Sequence, residues 1–322
     1  FALAQVLLAG GIAFNSGTET AMLYESLDSV GRADEYADRE AAVTRNLFLG
    51  SAVAALAGGA IAMIEIRLAY VLSFLSGVAV LLLALFFVEP PGRDTQRLSA
   101  GGFLKQLSAC VRYWKDPLLR WLFLFMIMMI VLFHIPYEFY QPYLKLLVQG
   151  DDPGPGGVEL TPLVTGVHTC LTMFIAAWFA ARSIWLRDRI GFFGLLVAAA
   201  ILVLVLIALM SFWLGIIVGV ILLLRSCPRA MLTPPVNAVI TPRLAQKNRA
   251  TYLSLQSLTG RLGFSLTLFG LSWVTVAQET DAPLAWPDLS RMLLISLLVG
   301  IVVAVLLLFL APKSVRHWKT DA

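Results

Sequence analysis

The 322 residues are 59% hydrophobic and only 14% charged, with a mean hydropathy of +0.83. A soluble domain carries charge on about a quarter of its residues, so this composition excludes that class and leaves a membrane protein. The net charge of +4 and pI near 9.1 do not indicate nucleic acid, because Lys and Arg lie in short connections between apolar runs and form no separate patch.

Nine apolar segments follow one another at 1–24, 46–64, 68–88, 118–147, 161–181, 190–210, 212–238, 250–276 and 290–311. Each has about the 20 residues that a helix needs to cross the hydrocarbon core. Lipid cannot satisfy an open backbone, so spans of this length must be helical. The period-two alternation of a membrane β-barrel is absent. The expected fold class is therefore all-α, a polytopic bundle of about nine transmembrane helices.

In chain order, the first segment starts inside an apolar run at Phe1 and places Asn15 and Glu19 on one face, with Glu25 and Asp28 near its end. In the second segment Gly50, Gly58 and Gly59 permit close helix approach, as Gly260 and Gly263 do in the eighth. The connection 89–117 opens on Glu89-Pro90-Pro91-Gly92, a helix breaker, and then spaces Phe103, Leu107, Val111 and Trp114 helically among Lys105, Arg112 and Lys115. That pattern predicts an amphipathic helix on the inner membrane surface.

The fourth segment carries His134, Glu138, Gln141 and Lys145 at i, i+4, i+7 and i+11, one polar face, with Tyr137 beside them and Pro136 and Pro142 to free backbone carbonyls. The seventh carries Arg225 and Arg229 one turn apart, with Pro228, Pro234 and Pro235. An ionised group at mid-bilayer costs about 2.5–3.5 kcal/mol on insertion scales, so such residues are candidates for function. Lys145 is read as snorkelling to the interface. Arg261 in the eighth segment is ambiguous.

Alternate connections and the tail hold most of the Lys and Arg, among them Arg32, Arg39, Arg45, Arg93, Lys105, Arg187, Arg243, Arg249 and Lys313, whereas the opposite set holds only Arg67, Lys145 and Arg291. The positive-inside rule puts the first set, and the C-terminus, in the cytoplasm. A weak internal repeat relates Ala21-Met22-Leu23 to Ala230-Met231-Leu232, Arg39 to Arg249 and Gly50 to Gly260, six segments along. It suggests two parallel halves of six helices.

Three stretches resemble the major facilitator superfamily. They are Ser16-Gly17-Thr18-Glu19-Thr20-Ala21-Met22-Leu23-Tyr24-Glu25-Ser26-Leu27, then Asp188-Arg189-Ile190-Gly191 as a cytoplasmic loop signature, and Tyr140-Gln141-Pro142-Tyr143. The resemblance implies that residues 1–88 are that family's helices four to six and that 89–117 is the linker. It makes 118–311 helices seven to twelve and 312–322 a cytoplasmic tail. The first three helices of the family then precede Phe1, and residues 1–322 alone are expected to insert poorly. Two positions depart from family patterns. Ala54-Ala55 replaces the Gly-Pro pair of the antiporter signature within Gly50–Gly59, and Gln5 stands where many proton antiporters have arginine. In the family, helices four, seven and ten line the cavity, which are here the first, fourth and seventh segments.

These readings converge on a secondary transporter of a small organic solute, in a cell membrane, driven by a proton or another ion and acting as a monomer. The expected pathway residues are Glu138, His134, Gln141, Tyr137, Glu19, Asn15, Arg225 and Arg229. Glu138, a titratable carboxyl on a helix expected to line the cavity, is expected to take part in proton coupling or substrate binding, the alternative being a residue that only reaches the outer interface. A structural ion pair between the halves is the alternative role for the buried charges. Efflux of lipophilic compounds would want an apolar cavity, and a membrane receptor or scaffold would be indifferent to neutralised charges. No enzyme, metal or cofactor motif is present: the histidines are scattered, Cys110, Cys170 and Cys227 have no CxxC spacing, and there is no phosphate-binding loop.

Overall fold

A computed structural model describes residues 3, 7, 11, 12, 15, 17–88, 90, 100–148, 161–275, 286–316 and 318. All regular elements among them are helical: α1 (Thr18–Ser29), α2 (Tyr36–Ala62), α3 (Ile66–Ala84), α4 (Ala100–Arg112), α5 (Pro117–Val148), α6 (Thr161–Ala181) and α7 (Ser183–Ile190), followed by α8 (Phe192–Phe212), α9 (Ile216–Ile221), α10 (Cys227–Ile240), α11 (Gln246–Thr275), α12 (Trp286–Phe309) and α13 (Lys313–Arg316). Seven candidate spans among the described residues are long and apolar enough to cross a bilayer. Two expected segments are not among the seven. Of 1–24, eleven residues, Gln5 among them, lie outside the described ones. The other, 250–276, falls in α11, whose 30 residues suffice in length but include Lys247, Arg249 and Arg261.

The core forms around α5, which supplies Leu122, Phe123, Phe125, Met129 and Ile135 to an apolar cluster completed by α8, α10, α11 and α12. Its start is set by Asp116, whose carboxylate accepts the orphan N–H groups of Leu118 and Leu119 at 2.8 and 3.4 Å, ahead of Pro117 in the first turn. Polar ring atoms then pin neighbours to it. Trp121 Nε1 donates to the Leu307 carbonyl at 2.7 Å, and Tyr252 Oη donates to that of Leu119 at 3.1 Å. Gly260 and Gly300 let α11 and α12 close on this post. A Cβ at Gly260 would lie 2.7 Å from Ile130, and one at Gly300 2.8 Å from Leu132.

A second, smaller core lies where α2 crosses α6, built of Phe48, Ala52, Cys170, Met173, Ala176, Ala177 and Ala180, with Ala230 from α10. The helices touch backbone to backbone. A Cβ at Gly59 would meet Gly166 Cα at 2.9 Å, and one at Gly166 would meet the Ala55 carbonyl oxygen at 2.9 Å. Of the glycines expected to serve close approach, Gly59 and Gly260 do so and Gly263 comes near Val131. Gly50 and Gly58 face open space, and Gly17, Gly166 and Gly300 do the work unforeseen.

The pattern of helix, single 3₁₀ turn and long helix recurs, α4, Tyr113–Lys115 and α5 among its instances, and two of them correspond in position. α1, Ala33–Glu35 and α2 are echoed by α10, Thr241–Arg243 and α11, starting 209 residues apart at Thr18 and Cys227. The two units pack crosswise, α1 on α11 and α10 on α2. The expected seventh span, 212–238, is not one helix but α9, a 3₁₀ turn at Leu222–Leu224 and α10. Pro228 causes the break, since it lacks an N–H and disfavours helical geometry in the residue before it. By contrast α5 runs unbroken through Pro136 and Pro142.

Within 89–117 the expected helix is α4. Its Gln106, Cys110 and Tyr113 face dock on the start of α11: the Gln106 amide donates to the Lys247 carbonyl, and Tyr113 Oη accepts from the Ala245 N–H at 3.0 Å. Val111 and Trp114 remain exposed. The helix thus lies against protein on one face, not on the membrane surface alone, and turns Val111 outward.

Candidate functional site

Arg225 stands in the break between α9 and α10, where a discontinuous span leaves carbonyls without helical partners. Only 3% of its surface is exposed. Its Nη1 donates to Thr172 Oγ1 at 2.6 Å, to His168 Nδ1 at 3.0 Å and to the Leu222 carbonyl at 3.3 Å, and Nη2 donates to Thr169 Oγ1 at 3.2 Å. Its guanidinium carbon lies 3.9 Å over the Tyr140 ring. Nε is buried and has no partner.

The geometry sets the state of His168. Arginine can only donate, so Nδ1 must accept; the proton sits on Nε2, which donates to the Gly219 carbonyl at 2.9 Å. His168 is therefore a neutral imidazole that joins the guanidinium of Arg225 to a carbonyl freed by the helix break. Tyr140 stacks on it at 5.9 Å and is itself bonded to Thr169 at 3.1 Å and to Gln141 at 3.2 Å. The motif Tyr140–Tyr143 thereby serves both sides of the bundle. Tyr143 Oη donates to the Trp213 carbonyl at 2.6 Å and accepts from the Gly215 N–H at 3.0 Å, tying down the turn before α9.

Beside this network lies a second group. Arg229, one turn further along, is exposed. Arg261, also exposed, stands halfway along α11. His134 lies halfway along α5, hydrogen-bonded through Nδ1 to the Ile130 carbonyl at 2.6 Å, with Phe264 at 4.9 Å and Tyr137 at 6.3 Å between ring centres. The network and this group therefore share the middle depth of the bundle.

Of the residues expected in the pathway, His134, Tyr137, Gln141, Arg225 and Arg229 share this region. Glu138 lies on the same α5 face and acts on His134, but it is exposed, so the burial expected of it is absent. Asn15 and Glu19 are exposed on the first segment and α1, and they bond to each other at 2.6 Å without contact to the arginines. Asp188, Arg189 and Gly191 lie at the basic end of the bundle, away from the cavity. There Asp188 pairs with Arg187 at 2.8 Å, Arg189 lies over Trp185, and Gly191 joins α7 to α8 at φ 77°.

The basic end holds a buried ion pair that reading the residues as loop charges missed. Arg249 Nη1 lies 3.4 Å from Glu25, both under 8% exposed, while its other nitrogens donate to the Thr241 and Leu244 carbonyls at 3.0 Å and its carbon lies 4.3 Å over Tyr24. Asn237 donates to the buried Glu40 at 2.6 Å nearby, and Tyr36 meets Thr241 at 3.2 Å. So a structural ion pair does join the two units, between residues other than those of the cavity. His168, Thr169 and Thr172 were also missed, although their spacing along one face of an otherwise apolar span was a usable signal. Among the described residues no group of three His, Cys, Asp or Glu could hold a metal.

The sequence matches the family model described as Major Facilitator Superfamily over residues 46–268, more than two thirds of the chain. Comparison with curated proteins returned no match.

Proposed function

Since the chain belongs to the major facilitator superfamily, a family of membrane transporters, we propose that it is a secondary transporter of a small organic solute, working by alternating access. The observation that carries this reading is the Arg225 network in the broken span, level with Arg229, Arg261 and His134. Charged groups are retained at that depth against the cost of leaving water, and a broken helix is where transporters place their sites. The ion pair Glu25–Arg249, with Glu40–Asn237, closes the basic end, so a change of access requires these contacts to separate. The proposed setting is a cell membrane with the basic end in the cytoplasm and the residues 118–311 forming one half of the transporter. Charge in the cavity favours this reading over efflux of lipophilic compounds, and over a receptor or scaffold.

Proton coupling is assigned to Glu138, a carboxyl exposed on the cavity face beside His134. Glu138→Gln keeps shape and hydrogen bonding but cannot titrate. In membrane vesicles the variant should lose gradient-driven accumulation while keeping exchange of solute across the membrane. Accumulation equal to the parent at every pH would remove Glu138 from the coupling.

A further inference from the structure

Arg225, Arg229 and Arg261 share the middle depth of the bundle, and among the described residues none has an acid paired with it. Among the described residues no carboxylate lies within 4.0 Å of Arg225, Arg229 or Arg261, whereas Arg249 at the basic end has Glu25. Glu138, the carboxyl on the same face, forms no ion pair with any of them. The side chains that do hold Arg225 are neutral: two threonines, an imidazole fixed as acceptor, and an aromatic ring. These orient a guanidinium without cancelling its charge, and they leave Nε as a donor with no acceptor. A cation shielded from water with no counterion is unfavourable unless an anion supplies what the protein omits. Beside the charges lies a wall of rings, Tyr137, Tyr140 and Phe264.

From this juxtaposition we infer that the transported solute is an organic anion with an apolar, aromatic body, its carboxylate or phosphate held by Arg225, Arg229 and Arg261. The inference rests on the transport reading and adds the substrate's charge and shape to it. Arg225, its Nη atoms held by the protein, keeps its full charge and offers Nε as the donor left for an anion's oxygen. Arg229 and Arg261 are like charges at one depth and keep accessible surface, so an anion between them offsets both. The aromatic side chains then take the body of the solute.

The test needs no knowledge of the natural solute. A cysteine replaces Tyr137 or, in a second variant, Gln141; both positions are exposed on the cavity face. The purified protein is treated with the anionic sulfonatoethyl and the cationic trimethylammonioethyl methanethiosulfonates, and the ratio of the two rates is compared with that on free cysteine. A cavity of this charge should favour the anionic reagent by about tenfold. The preference should fall towards unity in Arg229→Gln with Arg261→Gln, whose exposed side chains can be changed without opening the core. It should persist in Arg225→Lys, which keeps the charge. Benzoate and phenyl phosphate should slow the reaction, and benzylamine should not. A ratio equal to that of free cysteine, protection by benzylamine alone, or failure of both thiols to react would overturn the inference. A preserved anionic preference in a protein that moves no solute would instead sink the transport reading and leave an anion-attracting cavity.

Discussion

At Gly17 the backbone takes φ +78°, and a Cβ built there would lie 2.8 Å from the Ala250 carbonyl oxygen and 2.9 Å from both Leu253 Cβ and the Ser254 nitrogen. The same residue therefore turns the chain into α1 and lets α1 lie against α11. Gly31, at the other end of α1, has φ +72° with nothing within 4 Å of an added Cβ. It closes a Schellman turn, with Gly31 N bonded to the Asp28 carbonyl and Arg32 N to that of Leu27. Alanine at Gly31 should cost only the left-handed strain, about 1–2 kcal/mol. Alanine at Gly17 adds a clash with backbone that no rotamer relieves, about 1–3 kcal/mol more. Thermal unfolding in detergent should rank parent, Gly31→Ala and Gly17→Ala in falling order. Equal midpoints for the two variants would mean that α1 and α11 do not approach as described.

Between elements, the Glu25–Arg249 pair links α1 to α11 where water is excluded. The two desolvated charges compensate each other, so loss of one partner matters more than the net worth of the pair. Glu25→Ala, which strands Arg249, should destabilise by about 3–5 kcal/mol, and Glu25→Leu with Arg249→Met should recover much of that loss. The check is a denaturant titration of the solubilised protein for the parent, the single variant and the double variant. A single variant as stable as the parent would show that the Thr241 and Leu244 carbonyls alone suffice for Arg249. The sequence pointed to Glu25 but counted Arg249 among loop charges. The reason is that α11 begins inside the expected loop, at Gln246, and carries the arginine into the bundle.

At the scale of the whole molecule, the orientation of a polytopic chain follows its short-loop cations, which gather here at one end. Single cysteines at Arg32, Arg187 and Lys313 should therefore resist an impermeant maleimide applied to sealed cells, while one at Trp213 should react. Arg32, Lys313 and Trp213 are exposed, and Arg187 is partly so. Background should be low, because Cys110, Cys170 and Cys227 are buried and burial also pushes the Cys110 thiol up. Ready labelling at Arg187 from outside would invert the topology and with it the direction of the cavity.

What the sequence determined by itself is what one-dimensional physics controls. Uninterrupted apolar length dictates spanning helices, and polar residues inside apolar runs pointed to His134, Arg225 and Arg229 as candidates before any contact was known. The tertiary structure alone decided which charges are paired. Arg249 and Arg225 are both buried arginines flanked by helix ends, yet one meets Glu25 and the other meets only neutral side chains. Their partners lie 224 and 57 residues away in the chain, and no local pattern encodes such a separation. The same holds for Gly17, Gly59 and Gly166, whose need for glycine arises from a neighbouring helix rather than from their own. Pairing and close approach depend on how packed helices cross, and that is set only when the whole bundle closes around α5.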